Sequence, residues 1–371
     1  MNSANCSGRM RQKLFERRMN SQVNEMKTTS NDLKFNLSGV RNLRRYFFDS
    51  ACAVLGAENA KFLFKMYDLA RFDIFGRPRY NFGSVDITYR CNLNCKHCYF
   101  KEYGFDSELS DEEWLNFFAE LSKTDFPFYQ CSWIGGEPLM RKDLVGRCRK
   151  FFQSNVVATN GTIPLPDWPD VNFYVSVDGT RDWYKDMRGS AEHYDRIKKN
   201  CDRPDLKIII SMVITKDNHE CIEDLLDEWR KTHIKAVMFQ FFTPIGPDDS
   251  MWPGWELRDE ILDRLLALKE KYGSFIDIPS EVYRMMKSDR CREITKNCGY
   301  RKYAFCYDPT GKTKRPCMMG PQADCTRCGC VLPFHLALLD SKSLLIRELF
   351  RSIRLKLFRR RREQLLTTPA E

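Results

Sequence analysis

No apolar run in this chain approaches the roughly 20 residues needed to cross a bilayer. The polar stretch from Met1 to Lys34 has no signal-peptide core either. The first absence leaves no candidate transmembrane helix, and the second gives an expectation of folding in the cytoplasm. Strong charge of one sign is missing too. The net charge of +10 is mild for 371 residues, and +6 of it lies between Leu344 and Leu366, where eight basic residues (Arg347, Arg351, Arg354, Lys356 and Arg359 to Arg362) meet only Glu348 and Glu363. The body carries about +4, so on charge grounds it is not a nucleic-acid-binding surface. Cysteine, by contrast, is abundant at 16 residues. In a reducing compartment such clusters are more often metal ligands or redox groups than structural disulfides. A hydrophobic fraction of 43% supports a sizeable core, and the length suits one enzyme-sized domain with one or two appendages.

Residues 1–83 read as a polar arm followed by one or two helices, with apolar spacing from Phe47 to Leu69 within Arg41 to Phe75. From Ser84 onward short apolar runs alternate with helical patterns. The expected strands are Val85 to Tyr89, Phe128 to Ile134, Asn155 to Thr159, Phe173 to Val177, Lys207 to Ile214 and Ala236 to Phe242. Six βα units in succession imply a parallel sheet that curls into a full or partial barrel. Ser110 to Glu113 is a capping box, and Trp114, Phe117, Phe118 and Leu121 then share one helical face. Ile222, Leu225, Leu226 and Trp229 form a second such stripe, and Ile261, Leu262, Leu265, Leu266 and Leu268 a third. The fold class expected is therefore α/β, a partial (β/α)6 TIM-like barrel at 84–290, with a small Cys-rich region at 291–335 and helical extensions at 1–83 and 336–371.

In parallel βα architectures ligands bind at the carboxyl ends of strands. After the first strand comes Cys91-Asn-Leu-Asn-Cys95-Lys-His97-Cys98, a C-x3-C-x2-C array. Structural zinc wants four protein ligands and disulfides want an even number of cysteines, so three thiols leave one position for something else. Gly135-Gly136-Glu137-Pro138 follows the second strand; two glycines permit a close backbone approach, and the carboxylate is a candidate for an ammonium group. Thr159-Asn160-Gly161-Thr162 ends the third strand. Ser176 and Asp178 end the fourth and offer hydrogen bonds to a ribose diol. Arg188, Ser211 and Asn218 complete the candidates along these strand ends.

The cysteine array, the Gly-Gly-Glu-Pro segment and the strand order between them resemble the radical S-adenosylmethionine (radical SAM) enzymes over roughly residues 84–330. The resemblance implies that Cys91, Cys95 and Cys98 hold a [4Fe-4S] cluster, with the amino and carboxylate groups of S-adenosylmethionine on the fourth iron. An electron from the cluster then splits a carbon–sulfur bond, and the 5'-deoxyadenosyl radical takes hydrogen from substrate. It further implies that Gly135, Gly136 and Glu137 bind the amino group, that Arg188 pairs with the carboxylate, that Ser211 and Asn218 contact ribose or adenine, and that His97 lies against the adenine. A solvated arginine at a helix start is the other reading of Arg188. A reductant such as flavodoxin or ferredoxin is the implied partner.

Seven cysteines, Cys291, Cys298, Cys306, Cys317, Cys325, Cys328 and Cys330, fall within 40 residues. Cys298 to Cys306, the turn Asp308-Pro-Thr-Gly311 and Pro316-Cys317 resemble the start of the SPASM or Twitch extension of radical SAM enzymes. The resemblance implies one auxiliary iron-sulfur cluster on Cys298, Cys317, Cys325 and Cys328, with Cys306, Cys330 and Cys291 spare. A zinc knuckle is the alternative. The tail from Leu344 to Leu366 reads as a basic amphipathic helix, which suits an anionic membrane surface, an acidic partner, or simple docking on the barrel. Relatives with SPASM extensions point to a peptide or protein substrate, although no winged-helix docking domain is recognisable in the first 83 residues. The similarity of residues 311–329 to adenosylhopene-synthase-type proteins points to a membrane-borne lipid or isoprenoid. A barrel using its clusters only for electron transfer or protein interaction is the reading of another class.

Overall fold

The computed structural model describes residues 82–102, 107–124, 126, 128–247 and 249–341. The expected N-terminal arm and helices, and the basic tail from Leu344, lie outside the described residues. Seven parallel strands form one sheet in the order β6-β5-β4-β3-β2-β1-β7. They are β1 (Phe82–Asp86), β2 (Gln130–Ile134), β3 (Ser154–Thr159), β4 (Val171–Ser176), β5 (Lys207–Ile214), β6 (Ala236–Phe241) and β7 (Ala304–Tyr307). Consecutive strands β1 to β6 are neighbours, as βα units give, and β6 and β7 are the two edges. β7 is the surprise. It lies in the Cys-rich region, yet it pairs with β1 from Phe82↔Ala304 to Val85↔Tyr307, so that region shares the barrel's sheet.

β1 ends three residues before the expected Tyr89 because the backbone beyond it is used elsewhere. Gly136 N donates to Thr88 O and Glu137 N to Arg90 O, while the Glu108 carboxylate accepts from Thr88 Oγ1 (2.7 Å) and Tyr89 N (2.9 Å). A ladder would need those same groups.

Strand side chains alternate between two environments. Val85, Trp133, Val157, Phe173, Ile210 and Phe239 are fully buried in one continuous core with the covering helices. Among these helices are α1 (Asp111–Ser122), α2 (Arg181–Arg188), α3 (Ile222–Trp229) and α4 (Gly254–Tyr272). The α1 N-terminus shows the capping box in full: Ser110 N donates to Glu113 (2.7 Å) and Glu113 N to Ser110 Oγ (3.3 Å). Each large side chain so buried contributes roughly 1.5–3 kcal/mol. The opposite face carries mostly small or polar residues in cross-strand register, with Cys306, Ser84 and Ser132 in one row and Ser176 and Ser211, beside the larger Met238, in another. No described helix is long and apolar enough to cross a membrane.

Candidate functional site

The loop after β1 gathers three free thiols: Cys91 exposed, Cys98 half-buried, Cys95 buried. Its shape is fixed from both sides. Cys98 N donates to Cys95 O within the loop, and Lys96 N donates to Met187 O of α2 (2.9 Å). Asn92 donates to Thr162 Oγ1 (2.8 Å) and accepts from Asn160 Nδ2 (2.9 Å), which binds the loop to the turn after β3. Sulfur-directed N–H groups come from Leu93 N (3.4 Å) and Asn160 Nδ2 (3.9 Å) on Cys91 and from Arg188 Nη1 (3.9 Å) on Cys95.

The two glycines after β2 do permit a close approach, but to the chain itself. A Cβ on Gly136 would meet Arg90 O at 2.2 Å and one on Gly135 (φ +131°) would meet Thr88 O at 2.6 Å. They let this turn lie directly beneath the cysteine loop. Glu137 is buried, and its two oxygens accept from Leu139 N (2.9 Å), Thr159 Oγ1 (2.8 Å) and Asn160 N (2.7 Å). Burial raises its carboxyl above the usual range against those bonds. Its side chain thus holds the turn, with Oε2 accepting a single bond, from Asn160 N.

Asp178 lies at the centre of a buried network. Its buried carboxylate accepts from Arg188 Nε (2.6 Å) and Val213 N (2.9 Å), with His97 Nε2 at 3.0 Å. Burial pushes its pKa up, but Arg188 and His97 outweigh that and hold it below the usual carboxylate range. Arg188 is the last residue of α2, nine-tenths buried and ion-paired, so the solvated helix-start reading does not hold. His97 sits in this network, its Nε2 3.4 Å from Arg188 Nη2. Asn218 is also used internally: Nδ2 donates to Asp178 O and Val213 O, and Oδ1 accepts from Thr215 N. Ser176 and Ser211 pair across β4 and β5. The strand ends thus bring these candidates together, and Glu137, Asp178 and Asn218 are also hydrogen-bonded within the protein. Glu108 and Arg141 were missed. Arg141 donates to Ile87 O and Leu109 O (both 2.9 Å), fixing the two ends of the loop's excursion. The Arg just past Gly-Gly-Glu-Pro was the available signal.

The second cysteine field encloses a cavity of about 560 Å³, open solvent included, lined by Cys298, Cys317, Cys325, Cys328 and Cys330. The four expected ligands are together, and Cys330, counted as spare, lines the same space. Cys306 lies on β7 and Cys291 is fully buried against Arg258, neither on the cavity wall. Burial pushes the Cys317 thiol up to about 11 and that of Cys330 to about 12, so loading a metal centre there displaces protons. The turn at Asp308 closes as expected, with Gly311 (φ +76°) donating to Asp308 O (2.8 Å). The Cys328–Cys330 segment is sewn to the carboxyl end of β6: Phe241 N donates to Gly329 O (3.0 Å) and Gly329 N to Thr243 Oγ1 (2.8 Å). Both fields therefore sit at one end of the sheet.

In neither field do three Cys, His, Asp or Glu side chains converge on one point, among the described residues, as ligands of a single ion would. Free thiols at a strand end, met by N–H donors, are a donor set that would suit an iron-sulfur cluster. A family model described as the Radical SAM superfamily matches residues 85–259. Fe-coproporphyrin III synthase of Methanosarcina barkeri is 31% identical over 208 residues, covering 50% of this chain and 52% of that protein. Sporulation killing factor maturation protein SkfB of Bacillus subtilis is 24% identical over 164 residues, 39% of this chain and 38% of its own. The chain thus spans about half or less of the length of these curated relatives. A solved structure, native anSMEcpe with bound AdoMet, is similar in fold over 68% of this chain and 80% of that one, at 14% identity and a TM-score of 0.50. The family match runs from the strand that carries the cysteine loop into the helix that carries Arg258. Residues 85–259 thus match the radical SAM superfamily, whose members use a [4Fe-4S] cluster and S-adenosylmethionine.

Proposed function

We propose that this protein is an enzyme that abstracts hydrogen from an unactivated C–H bond of an organic substrate. Cys91, Cys95 and Cys98 would hold the catalytic cluster and the sheet face opposite the core, within residues 84–290, the substrate; the Cys-rich region, 291–335, would hold a second cluster. The observation that carries the reading is the cysteine loop itself: three free thiols after a strand end, with N–H groups from Leu93, Asn160 and Arg188 directed at the sulfurs of Cys91 and Cys95. When bound, the cluster and S-adenosylmethionine supply the electron and the 5'-deoxyadenosyl radical that takes the hydrogen. The protein's own part is positional. Asn92 and Asn160 hold the loop's rim, Arg188 sets positive charge beside Cys95, and Asp178 and His97 hold Arg188 in place.

The substrate we favour is a peptide or protein, as the maturation protein SkfB and the second cysteine field support. A tetrapyrrole is the second reading, on the likeness to Fe-coproporphyrin III synthase. The lipid reading drew on residues 311–329 and on the tail; the tail lies outside the described residues. Anaerobic reconstitution with S-adenosylmethionine and dithionite should yield 5'-deoxyadenosine. A protein that carries iron and sulfide but forms none would overturn the enzyme reading in favour of electron transfer. Deuterium passing into 5'-deoxyadenosine from a labelled peptide, and not from a labelled porphyrin, decides the substrate class.

A further inference from the structure

Arg258 lies fully buried in the first half of α4, and among the described residues no carboxylate pairs with it. Its Nε and Nη1 have no hydrogen-bond partner. The guanidinium lies 4.9 Å from the Phe241 ring centre and 5.1 Å from that of Trp255, and its one hydrogen bond runs from Nη2 to Cys291 Sγ (3.8 Å). Cys291 in turn donates its S–H to the carbonyl of Cys328 (3.8 Å), a residue of the cysteine cavity. A buried cation without a counter-charge costs several kcal/mol, and two aromatic faces offset only part of that. A compensating anion is therefore expected nearby, and its direction is set by the chain Arg258, Cys291, Cys328. Thiolates gathered on a metal centre in that cavity are such an anion.

We propose that Arg258 is the counter-charge of the second centre, a positioning residue that acts across Cys291 and makes that centre easier to reduce. The inference rests on the second-cluster reading. Cys291 then has a role without being a ligand: it accepts from the guanidinium and fixes the backbone of Cys328. A cation held in a low-dielectric wall stabilises the form of the centre that carries one more electron. The segment after Cys328 is locked by Gly329 against Phe241, whose ring also faces Arg258, so charge and cavity wall form one packed unit.

The test uses the full chain with Cys91→Ala, Cys95→Ala and Cys98→Ala, so that only the second centre remains, reconstituted anaerobically with iron and sulfide. The centre is titrated with dithionite, one electron per centre, and followed by electron paramagnetic resonance, with Arg258 intact and as Arg258→Lys and Arg258→Met. Arg258→Met should lower the ratio of reduced to oxidised centre at a fixed potential at least tenfold, about 59 mV for a one-electron couple. Arg258→Lys, which keeps the charge, should stay within about threefold of the parent. Ratios within twofold for both variants overturn the inference while leaving the cluster reading intact. If Arg258→Met retains no iron, Arg258→Gln takes its place under the same criterion. A parent that takes up zinc but neither iron nor sulfide overturns the second-cluster reading and the inference with it.

Discussion

Each cysteine field has a buried arginine aimed at a sulfur, and the two differ in what else the arginine touches. Arg188 is held by Asp178 at 2.6 Å, with His97 on the same carboxylate oxygen, and reaches Cys95 only through its remaining N–H groups. Arg258 has two aromatic rings and one thiol. In the first field the positive charge is neutralised within the protein; in the second, on the reading proposed above, it is left for a cofactor to neutralise. The lesson is that a preformed ion pair builds a rigid loop that stands without its cluster, whereas an unpaired cation makes loading part of the folding energy.

The largest expected effect breaks the first side of that comparison. Cys95→Ala removes the ligand beneath Arg188 and should abolish 5'-deoxyadenosine formation and lower bound iron by about one cluster's worth, while the far-ultraviolet dichroism stays that of the parent. Next, Gly329→Ala attacks the second side. A Cβ there would sit 2.0 Å from Phe241 O, which the backbone cannot absorb without leaving β6. Iron content should drop by the second cluster alone, leaving the signal of the first. Loss of both clusters would mean that the two fields are not independently built.

The contrast is sharpest in the cluster-free chain. Arg188→Met leaves the Asp178 carboxylate buried without its guanidinium and should cost about 3–5 kcal/mol in urea unfolding. Arg258→Met exchanges an uncompensated cation for an apolar side chain of similar length, and should leave stability unchanged or raise it. Equal losses in both variants would erase the distinction between the two arginines.

Much of this was legible in the sequence, and the misses share a cause. The six βα strands, the capping box and the cysteine loop follow from local spacing, and their boundaries moved only where tertiary bonds recruited backbone, as at Thr88 to Arg90. β7 was not legible because Ala304 to Tyr307 is four residues long and earns its place only by pairing with β1, a contact more than 200 residues distant in sequence. The sequence placed Glu137, Asp178 and Asn218 at the strand ends but not their internal hydrogen bonds, several of which join residues 20 or more apart, such as Glu137 to Asn160 and Asp178 to Val213. Arg258 did leave a trace. It stands three, four and seven residues before Ile261, Leu262 and Leu265, on the apolar stripe of α4, where a charged residue needs a reason.

The smallest expected effect concerns the link between the two fields. Asp86 ends β1, five residues before Cys91, and pairs inside the barrel with Lys314, three residues before Cys317. Burial raises the Asp86 carboxyl from 3.8 to about 6, with Lys314 pulling it only part of the way back. The folded chain therefore binds a proton more tightly than the unfolded chain at pH 4–6. Stability in that window falls as pH rises, by about 3 kcal/mol in total at the 1.36 kcal/mol that each pKa unit represents, and this contribution is flat above the folded pKa. Urea unfolding of the cluster-free chain across pH 4–7 should show that slope, and Asp86→Asn should remove it. A slope of the opposite sign would mean that the Lys314 ammonium dominates, making Asp86 and Lys314 a closed pair like Asp178 and Arg188.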